Sequence, residues 1–153
     1  MINYIIPQIL TYQNIDDLFV NNNKARSLSY AERNLSIDEL LKDDFICVVG
    51  EPGIGKSRLI DEIKNRSSKK NIHSCKASEI KDKPIPNDIE YCIIDALDEV
   101  EGDTFYSTLQ QIKDYKEKNS DSKVLFTCRK HYVASYKNHF ASCKDLIYVE
   151  LFD

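Results

Sequence analysis

Apolar runs and mixed apolar-polar segments alternate along this chain at intervals that predict strands separated by helices. Five short, largely apolar runs predict strands, numbered 1 to 5 along the chain: residues 45–49, 71–75, 91–94, 124–127 and 146–149. Apolar residues recur at helical spacing in three segments between them: 59–63, 105–115 and 132–140. Strands that alternate with helices are joined by right-handed crossovers, so the pattern predicts an α/β fold with a parallel sheet covered on both faces.

A glycine-rich loop lies between strand 1 and the first of these helices. Its sequence is GEPGIGKSR, which comprises Gly50, Glu51, Pro52, Gly53, Ile54, Gly55, Lys56, Ser57 and Arg58. Two glycines that bracket four residues and precede a lysine and a hydroxyl residue match the phosphate-binding loop, and a buried strand before it and a helix after it supply the required context. Backbone N–H groups of such a loop form an anion site at the helix N-terminus. We therefore expect Lys56 to contact the β and γ phosphates of a nucleotide and Ser57 to bind Mg²⁺; the alternative is an unused turn.

Acidic residues follow strand 3 in the sequence YCIIDALDEV. Asp95 ends the apolar run, at the edge of the sheet where ligands bind in open α/β folds, so it is the expected Mg²⁺ ligand. Assigning the metal to Asp98 instead would leave Asp95 inside the strand as an unpaired buried charge. Asp98 and Glu99 are then candidates for polarising the attacking water, and the longer side chain favours Glu99. The alternative for both residues is a solvated acidic loop.

The sequence VLFTCRK places two further polar groups at the same edge. Thr127 ends strand 4 and Arg129 follows it almost immediately. An arginine in this position can sense or stabilise charge on a γ-phosphate. A surface arginine without a role is the alternative.

Composition and charge narrow the function classes. The net charge is −4 and acids outnumber bases, which argues against general nucleic-acid binding. The five cysteines are odd in number and contain no Cys-x-x-Cys pair, so we interpret them as reduced, buried thiols without a metal. The sequence contains no apolar run long enough to span a membrane and no leader pattern, which predicts a cytoplasmic protein.

The three motifs GEPGIGKS, IIDALDE and LFTCRK together resemble the Walker A, Walker B and sensor elements of STAND-class P-loop NTPases, in particular the NACHT-like branch of this AAA+/ASCE-type group. Cys128 stands where the resemblance leads us to expect serine. Tyr30 lies in a segment that resembles the one that family members place near the adenine. The resemblance implies two regions: an N-terminal segment of unknown role at 1–29 and a P-loop NTPase core at 30–153 that lacks the helical lid and winged-helix domains.

The resemblance also implies a function. Family members bind Mg-ATP and hydrolyse it slowly as a signalling switch, coupled to oligomerisation or a protein partner, often in defence against phage. Because the chain stops without the lid domains, we expect either a piece of a larger protein or a stand-alone nucleotide-binding core. Two alternatives stay open, a nucleotide-binding interaction module without significant turnover and a small P-loop kinase.

The order of the strands separates these classes. Strand 2 lies between the loop helix and the Asp95 strand, so we expect strand 4 to insert between strands 1 and 3. The predicted fold is a P-loop NTPase three-layer sandwich with a five-stranded, mainly parallel sheet in the order 5-1-4-3-2. Direct pairing of the Asp95 strand with the Cys47 strand would instead indicate the kinase and GTPase branch.

Overall fold

The computed structural model describes residues 8–12, 15–19, 41–50, 56–66 and 71–152. The strands in this part of the chain are β1 (Gln8–Tyr12), β2 (Phe45–Val49), β3 (Ile72–Lys76), β4 (Tyr91–Asp95), β5 (Lys123–Cys128) and β6 (Ile147–Phe152). The helices are α1 (Ile15–Phe19), α2 (Lys56–Arg66), α3 (Gly102–Lys118), α4 (Lys130–Ser135) and α5 (Lys137–Ala141). Short 3₁₀ turns at Ala77–Glu79 and Leu97–Glu99 follow β3 and β4.

The strands form one sheet in the order β1-β6-β2-β5-β4-β3. β2 through β6, which correspond to predicted strands 1 to 5, are parallel to one another, so the predicted order 5-1-4-3-2 is confirmed. β2 has β5 and β6 as its two neighbours, and the Asp95 strand therefore does not pair with it. β1 adds a sixth strand, antiparallel to β6. It comes from the segment 1–29, for which we predicted no role.

Burial on both faces of the sheet explains why the sequences of the central strands are continuous apolar runs. Every residue of β2 is buried, and its side chains alternate between two apolar clusters. Phe45, Cys47 and Val49 join the larger cluster, which includes residues of α1, α3, α4 and α5. Ile46 and Val48 join the smaller cluster with residues of α2. The sheet is thus covered by α2 on one face and by the other helices on the opposite face, which is the predicted three-layer arrangement.

The helical prediction for residues 132–140 was wrong in one respect, because the segment forms two short helices. α4 ends at Ser135, and the next residue, Tyr136, has φ −112° and ψ 30°, which lie outside the helical region. α5 begins directly after it, at Lys137. The Tyr136 ring stacks on Phe105 of α3 with 4.1 Å between ring centroids. Packing of this ring against α3 accompanies the break, and periodicity alone does not contain that information.

The described helices include none that is both long enough and apolar enough to cross a membrane.

Candidate functional site

The carboxyl ends of β2, β5 and β4 lie side by side and carry the predicted site residues. Val49 is in register with Cys128, and Ile94 with Phe126. The residues that follow these positions therefore meet at one edge of the sheet, where open α/β folds bind their ligands.

Lys56 is the first residue of α2, and its side chain connects the helical end of the glycine-rich loop to Gly50, the first residue of the loop. Its Nζ donates a hydrogen bond of 2.7 Å to the carbonyl oxygen of Gly50, and the Gly50 N–H donates to the Cys128 carbonyl at 3.3 Å. An ammonium group has three donors, so this contact leaves capacity for oxygen atoms of a ligand. Arg58 is exposed on the same helix. The other predicted loop residues and the predicted adenine contact lie outside the described residues: Glu51, Pro52, Gly53, Ile54, Gly55 and Tyr30.

Ser57 and Asp95 line one cleft of about 330 Å³ between α2 and the carboxyl ends of β3 and β4. Lys76, which is in register with Asp95, and Glu79 also line it. Hydroxyl and carboxylate oxygens suit a hard divalent cation such as Mg²⁺, which keeps several waters and needs few protein ligands. Accordingly, the described residues contain no group of three or more His, Cys, Asp or Glu that would hold a metal unaided. The residues present fit a metal shared with a bound phosphate.

The carboxylate of Asp95 is held by the neighbouring strand. Thr127 Oγ1 donates a hydrogen bond of 2.6 Å to Asp95 Oδ1 and accepts one of 2.8 Å from the N–H of Ala96. Ala96 has φ 61° and ψ 55°, a left-handed conformation that non-glycine residues seldom adopt. The chain therefore turns sharply away from β4 directly after Asp95 and enters the Leu97–Glu99 turn.

Asp98 and Glu99 differ in their surroundings although they are adjacent. The Asp98 side chain is only 8% exposed, and its Oδ2 lies 3.3 Å from Nε of Arg129, whose side chain is 40% exposed. Among the described residues, Asp98 Oδ1 is the buried side-chain oxygen without a hydrogen-bond partner. Glu99 is exposed. The structure thus joins Asp98 to Arg129 and leaves Glu99 at the surface.

Two buried thiols lie beneath this edge. Burial raises the pKa of the Cys128 thiol, and the Asp98 carboxylate raises it further while Lys56 lowers it. Burial likewise raises the pKa of Cys47 well above its usual value, with smaller contributions from the same two charged residues. Burial of both thiols thus disfavours the thiolate form, which is the nucleophilic one.

Comparison with known proteins bears directly on this site. A family model described as novel STAND NTPase 3 matches residues 31–152. The chain belongs to this family. The matched range contains every described residue of the candidate site, whereas β1 and α1 precede it. Membership in a STAND NTPase family supports the use of a nucleotide and a divalent metal.

Comparisons of this STAND NTPase with solved structures and with curated proteins gave one weak similarity and no match, respectively. The solution structure of protein NMB1076 from Neisseria meningitidis is similar with a TM-score of 0.43 and 20% sequence identity, over 86% of this chain and 87% of that one. No curated protein matches the chain. The strand order of this STAND NTPase rests on its own backbone hydrogen bonds.

Sequence reasoning did not find three of the contacts in this STAND NTPase. The bond between Thr127 and Asp95 and the ion pair between Arg129 and Asp98 join residues about 30 positions apart. In the sequence, these contacts are indicated only by polar residues at or just beyond the end of a buried apolar run. Such residues predict a specific contact only once β4 and β5 are known to be neighbours. The sequence does not indicate that Lys76 lies beside Asp95, because this position depends on the pairing of β3 with β4.

Proposed function

We propose that this protein binds Mg-ATP and hydrolyses it slowly as a signalling switch of the NACHT-like branch of STAND NTPases, within the AAA+/ASCE-type group. The observation that carries the proposal is the convergence of Lys56, Ser57 and Asp95 on one edge of a sheet with this strand order. Binding of phosphate by a loop that follows a buried strand and opens a helix is the established use of this arrangement.

Lys56 would contact the β and γ phosphates through its side chain, exchanging its bond to the Gly50 carbonyl for bonds to phosphate oxygens. The bond of 2.7 Å keeps the ammonium group beside Gly50, at the end of β2, before the ligand arrives. Binding then requires little ordering of this long side chain, which reduces the entropic cost.

Ser57 and Asp95 would hold Mg²⁺, which neutralises charge on the phosphates when it is bound. Both side chains line the same cleft, so a hydroxyl and a carboxylate face one space. The hydrogen bond from Thr127 keeps Asp95 in one orientation.

Asp98 is the residue whose burial best fits contact with the attacking water. The longer side chain favoured Glu99 in the sequence, but Glu99 is exposed and Asp98 carries a buried oxygen without a partner. A buried carboxylate oxygen gains free energy when it accepts a hydrogen bond, and a water near the terminal phosphate would supply one. We therefore propose that Asp98 Oδ1 orients this water, with Glu99 as the competing candidate.

Arg129 would stabilise charge on the γ-phosphate. Its guanidinium carries five donors, and one nitrogen already faces Asp98 Oδ2. With its side chain 40% exposed, the group can turn towards a ligand at the sheet edge without first leaving a buried site.

The insertion of β5 between β2 and β4 supports this ATPase assignment over the small kinase, since direct pairing of the Asp95 strand with β2 was expected of the kinase and GTPase branch. Signalling in antiphage defence, and coupling to self-oligomerisation or a protein partner, follow from the family resemblance. Sedimentation of the protein with and without Mg-ATP tests the oligomerisation: a larger species only with nucleotide is expected, and an unchanged monomer contradicts it.

Calorimetric titration with Mg-ATP tests the proposal directly. Lys56→Ala should abolish binding and leave the circular dichroism spectrum unchanged, because the side chain faces the ligand site. Lys118→Ala, an exposed position at the end of α3, is the matched control and should bind as the wild type does. Equal ATP affinity in the wild type and Lys56→Ala would contradict the proposal. Release of phosphate without transfer to an acceptor separates hydrolysis from kinase activity.

A further inference from the structure

The hydroxyl group of Thr127 makes two hydrogen bonds, one to the last residue of β4 and one to the residue that follows it. It donates to Asp95 Oδ1 at 2.6 Å and accepts from the Ala96 N–H at 2.8 Å. A threonine hydroxyl has a single proton, and an ionised carboxylate can only accept, so the direction of the first bond is determined. Thr127 therefore has no proton left to donate to a phosphate while it holds Asp95.

Burial makes this arrangement rigid. Thr127 is 1% exposed and belongs to β5, which pairs with strands on both sides. Its side chain carries two heavy atoms on Cβ, which restrict the rotation that would move the hydroxyl away. A short bond from a fixed donor holds the carboxylate of Asp95 against rotation about its own side-chain bonds.

We propose that Thr127 is a positioning residue that orients the Asp95 carboxylate towards the divalent cation and, through the Ala96 N–H, fixes the turn that carries Asp98. It acts through these two residues and does not itself contact the nucleotide. This inference rests on the proposed function, because it assumes that Asp95 holds the metal.

Hydrogen-bond partners of metal-binding side chains fix the orientation of the ligand atom, and their removal costs about 10–100-fold in metal affinity. Valine has nearly the shape of threonine but lacks the hydroxyl, so Thr127→Val removes the bond and keeps the packing of β5. Serine keeps the hydroxyl and loses only a methyl group. The two substitutions therefore separate the hydrogen bond from the packing.

The experiment is a Mg²⁺ titration of nucleotide binding at a fixed ATP concentration, followed by fluorescence of a labelled ATP. We expect Thr127→Val to raise the midpoint Mg²⁺ concentration about tenfold or more, and to leave the weaker binding in EDTA unchanged. Thr127→Ser should restore most of the loss. Thr108→Val, a substitution of the same kind at a buried position in α3, is the matched control and should not move the midpoint.

The outcomes distinguish the two proposals. If Asp95→Asn raises the midpoint but Thr127→Val does not, the positioning role is wrong and the proposed metal site stands. If Thr127→Val and Thr127→Ser lose the same amount, packing and not the hydroxyl is responsible, which also overturns the inference. A wild type that binds ATP without regard to Mg²⁺ overturns the proposed function together with the inference. Thr127→Ala, which also lacks the hydroxyl, replaces the valine variant if that variant does not fold.

Discussion

Asp95 and Asp98 lie three residues apart, and their surroundings contrast. Asp95 ends a strand, and a buried hydroxyl from β5 donates to its carboxylate at 2.6 Å. Asp98 lies in a turn that follows a left-handed residue, and it pairs with a partly exposed arginine while one of its buried oxygens has no partner. The first carboxylate is held through one oxygen by the neighbouring strand, and the second has one oxygen that the protein leaves without a hydrogen bond.

The difference matches the two roles that we propose for these residues. A metal ligand has to keep its position both before and after the reaction, so full support from the protein is favourable. A group that acts on a water needs a free acceptor, and an unsatisfied buried oxygen costs about 1–3 kcal/mol until it is used. The contrast between Asp95 and Asp98 therefore supports a proposed division of work, in which Asp95 holds the metal and Asp98 orients the water.

The largest effect should be on the rate of hydrolysis. Asp98→Asn should slow ATP turnover about a hundredfold or more while ATP binding changes little, because a group that acts on water contributes little to ground-state affinity. Glu99→Gln should have a smaller effect, since that side chain is exposed. Steady-state phosphate release measured beside a binding titration checks both. A slow Glu99→Gln that traps ATP, with a normal Asp98→Asn, would assign the water to Glu99 instead.

Binding should depend on the other carboxylate. Asp95→Asn should weaken Mg²⁺-dependent ATP binding about tenfold or more, because an amide is a poorer ligand for Mg²⁺ than a carboxylate. Calorimetry with Mg²⁺ and with EDTA should show the difference only when the metal is present. If Asp95→Asn binds normally but hydrolyses slowly, the two aspartates do not divide the work in the proposed way.

The ion pair should contribute modestly to stability. Arg129→Ala leaves the buried Asp98 carboxylate without its cation and should cost about 1 kcal/mol, which lowers the Tm by roughly 2–4 °C in a chain of this size. The double variant with Asp98→Asn should recover part of this loss, since the buried charge is then removed as well. Thermal unfolding of the four proteins gives the coupling. Strict additivity would show that the 3.3 Å contact carries no free energy.

The smallest effect should come from the residue between the two aspartates. Ala96→Gly should stabilise the protein by at most about 1 kcal/mol, because glycine adopts φ of 61° without the strain that alanine bears. Ala134→Gly, an exposed position in helix α4, should destabilise by about the same amount and serves as the control of opposite sign. Denaturant unfolding measures both. A loss of stability in Ala96→Gly would mean that the turn is not strained.

Much of the sheet was predictable because its central strands are buried on both faces, as the run Phe45–Val49 shows. The order of the strands followed from the position of the 71–75 run, which required a neighbour for the Asp95 strand other than β2. The break at Tyr136 was not predictable, because the packing of its ring on Phe105 accompanies it. Local periodicity carries information about which face is buried and none about such contacts.

The candidate site divides in the same way. The predictions for Lys56, Ser57 and Asp95 rest on the fixed place of each residue relative to a strand or a glycine, and on the chemistry of its residue type. Which of Asp98 and Glu99 is buried could not be identified, since it depends on the left-handed turn at Ala96 and on an arginine from another strand. Their spacing predicts that both acids lie beyond the strand, but only the fold shows that the Asp98 side chain is buried and that Glu99 is exposed.

The antiparallel pairing of β1 with β6 has a consequence for the synthesis of the chain. Gln8 lies opposite Phe152, so β1 pairs with a strand that is made about 140 residues later in the chain. At typical rates of translation, residues 8–12 emerge about 10–30 seconds before their partner does. The five parallel strands can begin to assemble as they appear, whereas this edge of the sheet is completed only after residues 147–152 are free. Until then, the backbone N–H and C=O groups of β1 lack the partners that β6 supplies in the finished sheet.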